Sequence, residues 1–298
     1  MDRENRTWTC LSGFIIKLIA FLTMALDHIG VVLQMNVGEN YGLAIAFRVI
    51  GRLALPLFCF MIVEGAIHTK NFKKYALRLG VMASLISVGI IVSEEVPFFK
   101  DNGFSMREQG IIFLDLLLGA TAVFCLRQKK WYLKLLAILP LAFGIASYIA
   151  TANECPQCGV LVLWFPYFMR TQYGWYAILM CILFYCAVIL ANVFISYLSG
   201  MSGIDKENYK GSNIERHAIN IISVLMLAIA TIALYLCETL IPWRYTWVQD
   251  TQLFAIVAGA FILLYNGYRG YNKKWFQYGS YLYYPLHMAI LYLIFSLL

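Results

Sequence analysis

Apolar residues run along this chain in blocks of membrane length, separated by short polar stretches. A stretch of about 20 predominantly apolar residues crosses the hydrocarbon core as an α-helix. The blocks predict nine such helices, over 12–35, 42–67, 73–94, 110–127, 132–151, 174–199, 216–239, 251–266 and 276–298. A membrane β-barrel would instead show alternating segments of about ten residues. The piece 159–169, GVLVLWFPYFM, is apolar but too short to cross and contains Pro166. It predicts an interfacial or re-entrant segment. The expected fold class is therefore all-α: a polytopic helical membrane bundle of nine helices, or ten if 159–169 crosses, as one domain over 1–298.

Composition sharpens this. Of 298 residues, 61% are hydrophobic and 13% charged, against about 25% charged in a soluble domain. The net charge of +7 reads as loop topology rather than nucleic-acid binding. MDRENRTWTC has no cleavable-signal character, because the apolar run after it is long and carries Lys17 and Asp27. An uncleaved first helix is expected, with no lipidation motif and no soluble domain.

Orientation follows from lysine and arginine, which concentrate in cytoplasmic loops. With the N-terminus inside, sixteen basic residues lie inside: Arg3 and Arg6; Lys70, Lys73, Lys74 and Arg78; Arg127, Lys129, Lys130 and Lys134; Lys206, Lys210 and Arg216; Arg269, Lys273 and Lys274. Four lie outside, Lys100, Arg107, Arg170 and Arg244, and three fall within spans, Lys17, Arg48 and Arg52. The expected orientation is N-terminus in, with the basic loops on the cytoplasmic side.

The in-span charges carry the candidate chemistry. KLIAFLTMALDHIG holds Lys17, Asp27 and His28; FRVIGRLALPLFCFMIVEGAIH holds Arg48, Arg52 and Glu64. Each charge at bilayer depth costs roughly 2.5–3.5 kcal/mol on insertion scales, so such groups usually face protein or a water-filled cavity. Lys17 and His28 are eleven positions apart, three helical turns plus about 20°, so they share a face and lie roughly 16 Å apart along the axis. Two readings fit the cluster: charges that only brace neighbouring helices, or a polar chamber. The density of charge beside His28 favours the chamber.

Other positions are more ambiguous. Lys73, Lys74 and Arg78 fit a polyanion grip or plain positive-inside topology. Glu94 fits an outer vestibule or a solvated helix end. His68, at the close of the second charged run, and His287, just past Pro285 in YLYYPLHMAI, are secondary candidates; Pro285 is expected to kink the last helix or leave a carbonyl free. His217 reads as an interface histidine. Asp115 is expected to pair with an arginine. LYNGYRGYNKKW joins a turn signal to a basic cluster, with Asn266 and Arg269 as anion ligands. Cys155 and Cys158 form a CPQC loop that fits a local disulfide or reduced thiols; the other six cysteines are expected to be buried packing residues. No metal is expected. The sequence contains no phosphate-binding glycine loop, no dinucleotide fingerprint, no zinc-protease motif and no serine elbow, and no internal repeat.

MALDHIG, RVIGRLALPLFCFMIVEGAIHTKNFKKYALRL, SEEVPF, QYGWYAILMCILFY, LYNGYRG and YYPLHMAIL, in that order, resemble the TraX family, membrane proteins named for an F-pilin acetylase. NECPQCGVLVLWFPYFMR departs from the family as an apparent insertion before QYG. TraX proteins are in turn similar to the acyltransferase-3-like transmembrane acyltransferases, with a basic residue and a histidine on the first helix at the spacing of Lys17-x10-His28. A small-residue turn and a basic run after the second helix correspond here to Glu64-Gly65 and to Lys73, Lys74 and Arg78. The resemblance implies cytoplasmic acyl-CoA, acetyl-CoA above all, as donor and an acceptor reaching His28 from the other side.

The expected function is acyl transfer from cytoplasmic acyl-CoA to a hydroxyl or amine on the far side. His28 is the general base, Asp27 the partner of Arg48 or Arg52, and one of those arginines the oxyanion stabiliser. Glu64 belongs to the same chamber, and Lys17, Lys73, Lys74, Arg78, Asn266 and Arg269 hold the CoA. The acceptor is a protein N-terminus, a cell-wall sugar or a polysaccharide. The alternatives are a transporter or pilus and envelope assembly factor, with Asp27, Glu64 and His28 as a proton path, and a scaffold whose charges only brace helices.

Overall fold

In a computed structural model, residues 9–37, 41–97, 110–154, 160–241 and 250–296 are described. Among them the secondary structure is helical, with an isolated bridge between Leu11 and Tyr265. The helices are α1 Gly13–Val37, α2 Gly42–Gly51, α3 Ala54–His68, α4 Phe72–Glu95, α5 Ile112–Leu126, α6 Trp131–Leu135, α7 Ile138–Asn153, α8 Trp175–Ser202, α9 Lys206–Tyr209, α10 Asn213–Leu240, α11 Ala258–Leu263 and α12 Lys274–Ser296. Short 3-10 pieces cover Tyr167–Met169 and Asp250–Val257.

Six helical stretches are long and apolar enough to cross a membrane: Gly13–Gln34, Gly42–His68, Phe72–Glu95, Trp131–Asn153, Trp175–Ser202 and Asn213–Leu240. The sequence predicts nine. Ile112–Leu126 and Thr251–Leu263 are apolar but shorter. At 1.5 Å per residue, the 15 residues of α5 reach about 22 Å, less than the roughly 30 Å hydrocarbon core. Helix α12 has the length, at 23 residues, but its tyrosines and His287 make it more polar than the six. The piece 161–174 forms no helix beyond the 3-10 turn at Tyr167–Met169.

Two predicted helices are broken, each by a proline. Proline lacks an N–H for the carbonyl four residues back, and its ring crowds that carbonyl. For Pro56 that carbonyl belongs to Arg52, and the helix breaks at 52–53, between α2 and α3. For Pro140 it belongs to Leu136, and the break falls at 136–137, between α6 and α7. Pro285 is different: α12 runs helical through it. The segment predicted as one helix over 251–266 opens as 3-10 and becomes α-helical only at Ala258.

The chain forms two compact units. The first comprises Met1–Met61, Leu183–Ile232 and Asp250–Leu298. In it α1 and α12 are zipped by aromatic rings: Phe14 on Phe276 with centroids 4.8 Å apart, Phe21 on Tyr283 at 4.7 Å and His28 on His287 at 4.9 Å. Both numbers rise together, so the two helices run parallel. Phe14, Phe21 and His28 recur every seven residues, as do Phe276 and Tyr283, which is the spacing of a packed helix seam. Ala191 of α8 packs on Ala218 and Ile219 of α10, with Val188 and Ile222 beside them.

The second unit comprises Ile62–Ile182 and Ala233–Gln249. Its core centres on Ala122, Ala137 and Ile178, with Leu118, Leu141 and Ile182 against them. The loop ahead of α8 is tied down by buried polar groups. Arg170 and Glu154 form a buried ion pair. The Thr171 N–H donates to Ser147 Oγ at 2.9 Å. Asp115, fully buried, accepts the N–H of Gln172 at 2.7 Å and of Tyr173 at 3.3 Å. This corrects the arginine partner predicted for Asp115: a carboxylate at the start of α5 is satisfied by backbone donors instead. Cys59 and Cys181 are buried and Cys125, Cys186 and Cys237 partly so, but Cys10, predicted to be buried, is exposed. Cys155, Cys158, Arg3, Arg6, Lys100, Arg107 and Arg244 lie outside the described residues.

Candidate functional site

The site is built on α1 where α2 crosses it. A Cβ at either of two glycines would run into the facing helix: at Gly51 it would lie 2.2 Å from Asp27 Cβ, and at Gly30 it would lie 3.0 Å from the Ala44 carbonyl oxygen. Bare backbone lets the helices close on each other and seats Asp27 against the last turn of α2. There its carboxylate meets both arginines. Arg48 Nη1 donates to Asp27 Oδ2 at 2.7 Å, and Arg52 Nη2 donates to Asp27 Oδ1. Arg52 also donates from Nη1 to Gln252 Oε1 at 3.2 Å and from Nε to the Arg48 carbonyl at 3.2 Å. The break caused by Pro56 leaves Arg48 and Arg52 at the C-terminal end of α2, where the helix dipole favours cations. Asp27 and Arg52 are buried, at 8% and 9% exposure. Two guanidiniums on one carboxylate leave the trio with one net positive charge in low dielectric, a setting that favours a developing anion.

His28 lies one position on, about 100° round the helix, and turns to α12. Its Nδ1 is 2.7 Å from His287 Nε2, and the rings lie 29° from coplanar. The edge of Tyr284 meets His28 at 5.9 Å. His287 Nδ1 lies 2.8 Å from the Tyr283 carbonyl. Tyr283 in turn stacks on His287, with centroids 5.0 Å apart, and its hydroxyl donates to the Phe21 carbonyl at 3.2 Å. A secondary candidate of the sequence thus stands in direct contact with the primary one.

The other end of the same helix face carries Lys17. The LYNGYRG turn folds over the start of α1: the Gly13 N–H donates to the Tyr268 carbonyl at 2.8 Å and the Phe14 N–H to the Arg269 carbonyl at 2.9 Å. Asn266 shapes this turn, its Oδ1 accepting the Tyr268 N–H at 2.9 Å. Gly267 and Gly270 hold φ of +78° and +68°, which L side chains rarely adopt. The Arg269 charge acts directly on Lys17, and no acidic side chain pairs with either among the described residues. Arg216 lies over the Tyr265 ring at 5.0 Å, beside Gly267. Lys17 and Arg269 are near enough to interact electrostatically, and Arg216 lies at the same turn, so positive charge gathers at this end of α1.

The remaining predicted residues belong to the second unit. Glu64 is buried and faces the exposed His68 one turn on, with His68 Nδ1 3.6 Å from Glu64 Oε2. Glu64-Gly65 is not the turn that the resemblance implies. Helix α3 continues to His68, and the chain turns at 69–71, where Asn71 Oδ1 caps α4 by accepting the Lys74 N–H at 3.1 Å. Gly65 is instead a close packing point, where a Cβ would lie 2.9 Å from the Tyr75 hydroxyl. Lys73, Lys74 and Arg78 are exposed on the first turns of α4, and Glu94 is half-buried near its end. Sequence reasoning did not single out Gln252, which carries no signal of its own. Arg216 entered the sequence reading only as a loop charge.

A family model described as "TraX protein" matches residues 12–204, which include Lys17, Asp27, His28, Arg48 and Arg52. His287, Arg269, Arg216 and Gln252 lie beyond the matched region. The chain is also similar to the "Probable fimbrial assembly protein FimC, serogroup H1" of Dichelobacter nodosus, with 34% identity over 118 residues, 37% of this chain and 47% of that protein. The match thus spans about half the length of that relative. No solved structure matches this chain. With close to two thirds of its length in one continuous match to that model, the chain belongs to the TraX family.

Proposed function

We propose that this protein is an integral-membrane acyltransferase of the bacterial cytoplasmic membrane. It moves an acyl group, acetyl above all, from cytoplasmic acyl-CoA to a hydroxyl or amine at the extracytoplasmic side, with His28 as general base. The observation that carries this reading is the polarity of one face of α1. At one end Lys17 opposes the Arg269 charge, with Arg216 at the same turn. About 16 Å further on, His28 stands beside the Asp27, Arg48 and Arg52 trio, which carries net positive charge. The first end suits the phosphates of CoA. The distance suits an extended pantetheine arm. The second end has a base for the acceptor's proton and guanidiniums for the oxyanion of the tetrahedral intermediate. Lys73, Lys74 and Arg78, exposed on the first turns of α4, are proposed as a polyanion contact. The association of the TraX family with pilin acetylation agrees with an amine acceptor at a protein N-terminus.

The proposed topology is nine spans with the N-terminus inside. Parallel α1 and α12, if both cross, require an odd number of crossings counting both, and the basic loops favour the cytoplasm. The test is direct. Purified protein in lipid nanodiscs is given acetyl-CoA and an amine or hydroxyl acceptor, and free CoA thiol is followed. His28→Ala is expected to abolish release while the protein stays inserted and folded. Wild-type turnover in that variant removes His28 from the chemistry.

The name of the fimbrial relative favours a second reading, a pilus assembly factor in which the same polar groups serve proton movement or bind a subunit. That reading expects no thiol release and loss of surface fimbriae in the His28→Ala strain.

A further inference from the structure

We infer that His287 is the positioning residue for His28: it sets the tautomer of His28 and makes Nε2 the basic atom. The argument starts from a carbonyl, which only accepts hydrogen bonds. His287 Nδ1 lies 2.8 Å from the Tyr283 carbonyl oxygen, so in the neutral ring the proton sits on Nδ1. His287 Nε2 then carries a lone pair. His28 Nδ1, 2.7 Å away, must supply the proton of that bond. A neutral imidazole has one N–H, so the lone pair of His28 is left on Nε2. Among the described residues no group hydrogen-bonds to His28 Nε2. The main-chain carbonyl of α12 thus sets, through two rings, which nitrogen of α1 is the base.

This is the role that a carboxylate plays behind the histidine of a serine hydrolase. Asp27 cannot play it here. Both its oxygens are held by Arg48 and Arg52, and it leaves α1 about 100° away from His28. The ring stack gives the pair its rigidity. Phe21, Tyr283, His287 and His28 follow one another at centroid distances of 4.7, 5.0 and 4.9 Å.

The catalytic half of the inference rests on the acyl-transfer reading. As the acceptor oxygen or nitrogen bonds to the thioester carbon, its proton passes to His28 Nε2. The charge then spreads along the bond, as the Nδ1 proton of His28 moves toward His287 Nε2. When the C–S bond breaks, the Nε2 proton goes to the leaving thiolate and both rings return to neutral. No outside reagent is consumed.

The test reads the tautomer and the transfer separately. Protein labelled with nitrogen-15 histidine in nanodiscs gives long-range proton–nitrogen correlations that distinguish Nδ1–H from Nε2–H rings, and His28→Ala assigns the His28 signals. Wild-type His28 is expected as the Nδ1–H form. In His287→Ala it is expected to revert to the Nε2–H form that free imidazole prefers, with thiol release falling about 100-fold, the low end of a general base's contribution. His287→Gln keeps an acceptor, Oε1, in reach. It is expected to retain the Nδ1–H form and to stay within about tenfold of wild-type transfer, a loss of about 1.4 kcal/mol at most. An Nε2–H wild-type ring, or a tautomer unmoved in His287→Ala, overturns the inference. The expected tautomers with no acyl-CoA turnover in any protein uphold the positioning role and overturn the acyltransferase.

Discussion

Asp27 sets the character of the site, because its carboxylate holds two guanidiniums in place, the buried Arg52 and the half-buried Arg48. Removing the carboxylate takes a counter-charge away from the buried Arg52 guanidinium, and breaking such a pair costs about 3–5 kcal/mol. Asp27→Ala is therefore expected to lower thermal stability in detergent by that amount, as well as activity. A variant that melts like wild type would show that water already screens the arginines. This pairing was legible in the sequence, because Asp27 and His28 leave the helix about 100° apart and so need different partners. His287 was only a secondary candidate for an equally physical reason. No helical periodicity links residues 259 positions apart, and YYPLHM by itself reads as packing. Asp115 was misjudged because sequence shows acidic charge but not the backbone N–H groups a loop folds back to offer.

At the scale of elements, prolines matter more than hydropathy does. The runs around Pro56 and Pro140 are continuous in apolar character, so each reads as one span, yet each breaks at the carbonyl four residues before its proline. The first break shapes the site, since it ends α2 at Arg48 and Arg52. Pro56→Ala restores the missing N–H and lets α2 continue into α3, carrying Arg52 round the axis and away from Asp27 and Gln252. Transfer is expected to drop at least tenfold, about 1.4 kcal/mol. Pro140→Ala, the same change in the second unit, is expected to stay within twofold. Equal initial rates of thiol release in the two variants would separate the break from function. The aromatic heptads, by contrast, were present in the sequence and went unread. Phe14, Phe21 and His28 match the spacing of Phe276 and Tyr283, and matched sevenfold spacing on two helices is a pairing signal.

For the whole molecule, the helical membrane class was legible from composition and block length, which report burial in lipid directly. The exact helix ends were not, because the apolar run 110–127 does not show that its regular helix covers only Ile112–Leu126. The parallel course of α1 and α12 bears on the number of crossings. Single cysteines replacing Ser12 and Asn272, in a background with all eight native cysteines changed to serine, are expected to react with a membrane-impermeant thiol reagent from the same face of the membrane. Labelling from opposite faces would exclude both the parallel seam and the odd count. The seam also bears on biosynthesis. His28 lies on α1, while the ring proposed to orient it lies on α12, 259 positions further along the chain. On the proposed reading, a chain in which α12 has not yet docked carries an imidazole whose lone pair is not yet aimed, so consumption of thioester is expected to wait for the two helices to meet.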